Sequence, residues 1–191
     1  MSSGAMAFAL CVAFVVAPCR AGQGVVAGPV AVVQESFPAP PADRALIYWK
    51  SGNGMLTPLG IETGTTPLRV DAVAGSDKMS RVELKGEHSV NVVETIEPHF
   101  FLFVQDSAGV HPPLLARLTG KRGARRVTVM AQRGQRGFAI ASAEIVKPHY
   151  RVLSRDGSMI YMEVWGREPL QPGEYAFIGS DLTRVASFSV R

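Results

Sequence analysis

A chain of 191 residues, 47% apolar and 19% charged, is long enough to bury a core without disulfides or metals and reads as one domain, with or without a tail. Its formal charge of +4, from 20 basic and 16 acidic residues, is too small by itself to argue for nucleic acid. The 13 prolines and 19 glycines punctuate many short elements and exclude a fold of a few long helices.

Residues 5–17 carry no charge. As a helix, at about 1.5 Å per residue, they would cover only about 20 Å of a hydrocarbon layer about 30 Å thick. That is too short to span a membrane and suits a signal-peptide apolar region. Pro18 breaks the run, and Cys19-Arg20-Ala21 places small residues where a signal peptidase reads, so cleavage is expected near Ala21. Residues 1–6, the n-region, lack the usual Lys or Arg. A lipid tether at Cys19 would call for a small, flexible residue before it, and Pro18 is neither, so Cys19 is expected to be discarded with the signal. Both cysteines, Cys11 and Cys19, lie in this segment. The expectation is an exported protein (periplasmic, cell-surface or extracellular) whose mature chain has no thiol and no transmembrane helix. It then has no disulfide, thiolate metal site or cysteine nucleophile.

Residues 22–42 read as an extended linker, polyproline-like at Phe37-Pro38-Ala39-Pro40-Pro41. The folded domain is expected over 43–191. Its runs are short and bounded by turn residues. Residues 44–50 form a strand candidate ending at Ser51-Gly52-Asn53-Gly54, and residues 55–61 a second, which Pro58 confines to an edge or bulge. Residues 68–73 and 81–85 alternate, with Val82 and Leu84 facing inward, and 90–93 follow as a further candidate. Residues 100–104 (Phe-Phe-Leu-Phe-Val) are apolar on both faces and predict a central, fully covered strand. Residues 114–118 and 126–131 flank a basic, glycine-containing loop and predict a hairpin. Over 138–146 helix and strand both remain open. Residues 150–164 place two β-rich runs around Asp156-Gly157, a hairpin signal, and 173–178 and 185–190 close the chain. About ten strands without an amphipathic helix predict an all-β, two-sheet antiparallel sandwich, immunoglobulin-like in a broad sense.

Leu170-Gln171-Pro172-Gly173-Glu174-Tyr175-Ala176-Phe177, followed by a last strand with Phe188-Ser189-Val190, resembles the C-terminal pattern of a group of exported bacterial β proteins. Residues 114–127 and 55–59 also resemble that group's middle and N-terminal segments. No activity is established for the group, so the resemblance implies an exported β domain and carries no catalytic residue across. In this segment Tyr175 and Phe177 should share one face, with Glu174 facing out.

Arg117, Lys121, Arg122, Arg125, Arg126, Arg133 and Arg136 put seven positive charges in twenty residues with no acid among them. Without Arg20 the mature chain totals +3 (19 minus 16), so the rest carries about −4. Lys121, Arg122 and Arg125 are expected at the hairpin tip, where they would bind an envelope protein or an anionic envelope polymer rather than nucleic acid. Exchanging those three for glutamate is then expected to abolish binding without unfolding. The alternative for the segment is a solvated loop whose charges shield strand edges. His88, His99, His111 and His149 show no metal-ligand spacing, no serine sits in a nucleophile elbow, and no cofactor motif occurs. The function expected is a non-enzymatic interaction or structural module of the cell envelope. Its alternative is a carbohydrate-binding or hydrolytic envelope protein, for which Tyr48, Trp49, Tyr161 and Trp165 are the stacking candidates.

Overall fold

The computed structural model describes residues 37–64, 68–69, 79–108, 110–131, 138–179 and 184–191. The expected signal segment, the linker up to residue 36 and residues 70–73 of one strand candidate lie outside them. Among the described residues there are fourteen strands and no helix, arranged in two sheets. The all-β, two-sheet expectation holds, with more and shorter strands than its count of about ten. No helix among the described residues is long and apolar enough to cross a membrane.

The smaller sheet holds β1 (Tyr48–Lys50), β2 (Leu56–Pro58), β7 (Phe100–Gln105), β11 (Pro148–Asp156) and β12 (Met159–Gly166), in the order β11-β12-β7-β1-β2. β7 is central, as its two apolar faces require, and β2, which carries Pro58, lies at an edge. β11 and β12 form the expected hairpin, turning through Gly157 and Ser158 with Gly157 at φ 58°. The left-handed φ falls on the residue without a Cβ.

The larger sheet holds nine strands: β3 (Ile61–Thr63), β4 (Leu68–Arg69), β5 (Met79–Lys85), β6 (Val92–Val93), β8 (Leu114–Lys121), β9 (Ala124–Ala131), β10 (Phe138–Ile140), β13 (Gly173–Ile178) and β14 (Arg184–Val190). Its pairs are antiparallel except β6 with β14. The stretch 138–146, ambiguous in sequence, is strand only over 138–140 and then turns.

Between the sheets lies one core, in which Phe100 meets Phe177 and Phe188 at ring-centroid distances of 4.8 Å each. A second core forms because the larger sheet curls on itself. β8 and β9 pair only from Thr119 to Lys121 against Ala124 to Arg126, then separate. β9 and β5 swing over the far face of β8, β13 and β14, so Val82, Leu84, Val127 and Val129 pack with Ala116, Leu118, Ile178 and Val185. β14 is thereby covered on both faces, which is why Val185 to Val190 are all buried.

The outer face of the smaller sheet carries a third cluster, Tyr48, Phe101 and Tyr161, with Phe103 stacked on Tyr161 at 4.9 Å. The proline-rich segment lies against it: the Tyr161 hydroxyl donates to the Pro38 carbonyl at 3.4 Å, and the Arg151 guanidinium sits over the Phe37 ring at 4.3 Å. Burial, and then the nearby Glu163 carboxylate, push the Tyr161 hydroxyl from 10.0 up to about 12. A pKa raised on folding contributes stability that is complete below about pH 10 and is lost as pH rises through about 12. Urea midpoints should therefore fall over that window less steeply for Tyr161→Phe than for the native chain. Parallel curves would show that the hydroxyl is solvated.

Candidate anion-binding cleft

The seven basic residues singled out by their clustering do not form one patch. Two of them, Arg133 and Arg136, lie outside the described residues. Arg125 is a correction: it is 1% exposed and lies inside the fold, not at a hairpin tip. The turn is made by Arg122 and Gly123, both at positive φ (53° and 73°), so Arg125 already belongs to β9 and shares the inward face of Val127 and Val129. Its guanidinium meets Glu62 through Nη2–Oε2 at 2.6 Å and Nη1–Oε1 at 3.2 Å. It also donates to the Lys85 and Gly86 carbonyls and to Ser187 Oγ. Arg126, on the other face, stands opposite Glu83 in the sheet register, with Nε 2.9 Å from Oε1. Neither is a free charge for a partner.

Arg117, Lys121 and Arg122 remain exposed. Arg117 and Lys121 share one face of β8, about 13 Å apart at roughly 3.3 Å per residue. Arg122 occupies the left-handed position that hairpins of this kind give to Asn or Gly. Arg122→Asn should accordingly raise stability by about 0.5–1 kcal/mol, read as a higher thermal midpoint. A lower midpoint would reveal a stabilising contact of the arginine.

What the structure adds is a cleft of about 530 Å³ at one end of the inter-sheet core, lined by Arg117, Lys147, Arg167 and Glu168 over a wall that includes Ile145, Leu170 and Tyr175. Each cation has a local reason for its place. Arg117 lies against the bare Cα of Gly173, where an added Cβ would stand 3.6 Å from Nη2, beside Tyr175, its register partner on β13. Residues 144–146 run along β8, with Arg117 N donating to Glu144 O at 2.8 Å and Val146 N to Leu115 O at 2.9 Å, which delivers Lys147 to the rim. Glu144 fixes that segment by accepting from Thr128 N at 2.5 Å and Thr128 Oγ1 at 2.9 Å. Arg167 N donates to Lys147 O at 2.9 Å, and Leu170 N to Ile96 O at 2.6 Å, holding the 166–171 loop across the cleft. Gly166 permits the tight start of that loop, because a Cβ there would come 2.7 Å from Glu168 O.

Comparison with known proteins finds no matching family model, no similar curated protein and no similar solved structure.

The charge balance of the cleft follows from its lining. Among the described residues no carboxylate lies within ion-pair distance of Arg117, Lys147 or Arg167, and Glu168 is the one acidic residue of the wall. Three cations around a concave surface concentrate positive potential there. Lys147 and Arg167 give no signal in the sequence because each is isolated in the chain and only the fold brings them to Arg117.

Next to the cleft, and sharing Arg167, Glu168 and Pro169 with it, is a smaller pocket lined by Glu97, His99, His149 and Trp165. The Trp165 ring is flanked by His99 at 5.5 Å and by His149, its register partner on β11, at 5.4 Å. Glu163 beneath them is bound to His99 Nδ1 at 2.7 Å and to Arg151 Nε at 2.7 Å. The Arg151 guanidinium also lies 5.7 Å from the Trp165 centroid, and Trp49 packs against the inter-sheet core. Among the described residues no group of three or more His, Cys, Asp or Glu side chains is placed to hold a metal.

Proposed function

We propose that the protein is an exported, non-enzymatic interaction module of the cell envelope that captures an anionic partner. The contact surface runs from Lys147 and Arg167 across Arg117 to Lys121 and Arg122. The observation that carries this reading is the convergence of Arg117, Lys147 and Arg167 on one cleft, unpaired among the described residues. Capture is electrostatic, so affinity falls as salt rises. Lys121 and Arg122 extend the basic surface along β8 beyond the cleft, so an anionic polymer can engage it as well.

Binding to dextran sulfate, with neutral dextran as control, tests it. Lys147→Glu with Arg167→Glu should weaken binding by about tenfold or more at low salt, as should Lys121→Glu with Arg122→Glu, while urea midpoints stay near the native value. Unchanged affinity in both pairs, or affinity independent of salt, would remove the proposal.

A further inference from the structure

We infer that the cleft itself is a site for a single anionic group carried on an apolar body, that is, an anionic amphiphile. This rests on the reading of the cleft as an anion site and adds the class of ligand. A cleft of about 530 Å³ lies within the size range of small-molecule pockets and is far larger than a lone phosphate or carboxylate would fill. Its wall is not uniformly polar. Ile145 packs against one core cluster, and Leu170 and Tyr175 belong to another, so the inner surface continues the apolar interior of the sandwich. The Tyr175 hydroxyl donates to Gln171 O at 2.7 Å, so its polar end is already satisfied and its ring serves as apolar wall.

The cations stand over that wall with part of their bonding capacity spent on the frame. Arg167 Nε is turned to the Pro148 carbonyl at 3.4 Å, and Arg117 is held beside Gly173. Arg117, Lys147 and Arg167 then supply the donors that a phosphate or carboxylate needs. An inorganic anion would leave the partly exposed Ile145 and Val146 wetted, and a neutral apolar molecule would leave three cations without a counter-charge. A ligand with both parts satisfies the whole lining.

The test is calorimetric titration of the full chain with alkyl phosphates of four to eight carbons, inorganic phosphate and octyl glucoside, each below its micelle concentration. Octyl phosphate should bind at one site, with affinity rising about fourfold per added methylene, and octyl glucoside should not bind. Lys147→Glu with Arg167→Glu should weaken octyl phosphate by about tenfold. Sedimentation with phosphatidylglycerol vesicles separates the two sources of such a ligand: binding of vesicles points to a lipid headgroup, and binding of monomers alone to a free amphiphile. Equal affinity for inorganic and octyl phosphate would overturn this inference. So would retained dextran sulfate binding with no response to any alkyl phosphate, which leaves the broader anion reading standing. Loss of both would overturn the two together.

Discussion

Arg125→Ala should lower the free energy of unfolding by about 3–5 kcal/mol, a large share of the ~5–15 kcal/mol typical of a domain. Most of that cost lies in the polar groups the truncation strands inside the fold. The guanidinium sits between β9, β14 and the end of β5, where it neutralises Glu62 and is donor to Lys85 O, Gly86 O and Ser187 Oγ. Ser187 Oγ in turn donates to Glu62 Oε1 and lies 2.9 Å from Ser89 Oγ, and Asn91 Nδ2 donates to the Ser187 carbonyl at 2.7 Å. Removing Arg125 leaves a half-buried carboxylate without its counter-charge and two carbonyls without donors. Arg125→Met combined with Glu62→Leu should recover much of the stability, since it removes both charges and fills the space. Urea midpoints at constant slope measure both. A drop under about 1 kcal/mol for Arg125→Ala would mean that the pair is solvated. Arg125→Glu, which the sequence alone would make a probe of binding, reports folding instead.

Phe188→Ala should cost about 3–5 kcal/mol. Phe188 is wholly buried on β14, tilted 45° against Phe100 at 4.8 Å and stacked on Tyr175 at 5.6 Å. It also faces Phe177, so one ring joins both sheets of the sandwich. Truncation leaves a cavity whose walls are strands fixed by backbone pairing, which limits collapse. Phe103→Ala, on the outer face where the ring is partly exposed and rests on Tyr161, should cost less than half as much. Equal effects at the two positions would show that the inter-sheet core is not the principal one.

The outcome at particular residues shows where local pattern suffices. Phe100 to Val104 announced a central strand because a segment apolar on both faces has only one place in a sheet. Asp156-Gly157 announced a hairpin because the turn demands a left-handed φ that glycine supplies. Pro58 announced an edge for want of a backbone donor. In each case the constraint acts within a few residues.

Where the pattern misled, the deciding contact came from far along the chain. Ser187 and Ser189 are polar yet buried, because the curl of the larger sheet brings Arg125 and the 86–91 loop over them. Glu174, expected to face solvent, accepts from Ser89 N at 2.9 Å and from Ser189 Oγ at 2.6 Å, and its Oε1 lies 3.0 Å from His88 Nδ1. Arg125 looked like one more charge of a basic run and is the most buried of the described ones.

The amino-acid order alone determined an all-β chain, its main hairpins and its central strand, because propensity, turn chemistry and two-residue periodicity operate over short distances. Which charges face water and which neutralise one another inside was decided only by the tertiary structure. Burial and ion pairing depend on how one sheet folds over another, bringing Glu62 to Arg125 and Lys147 and Arg167 to Arg117.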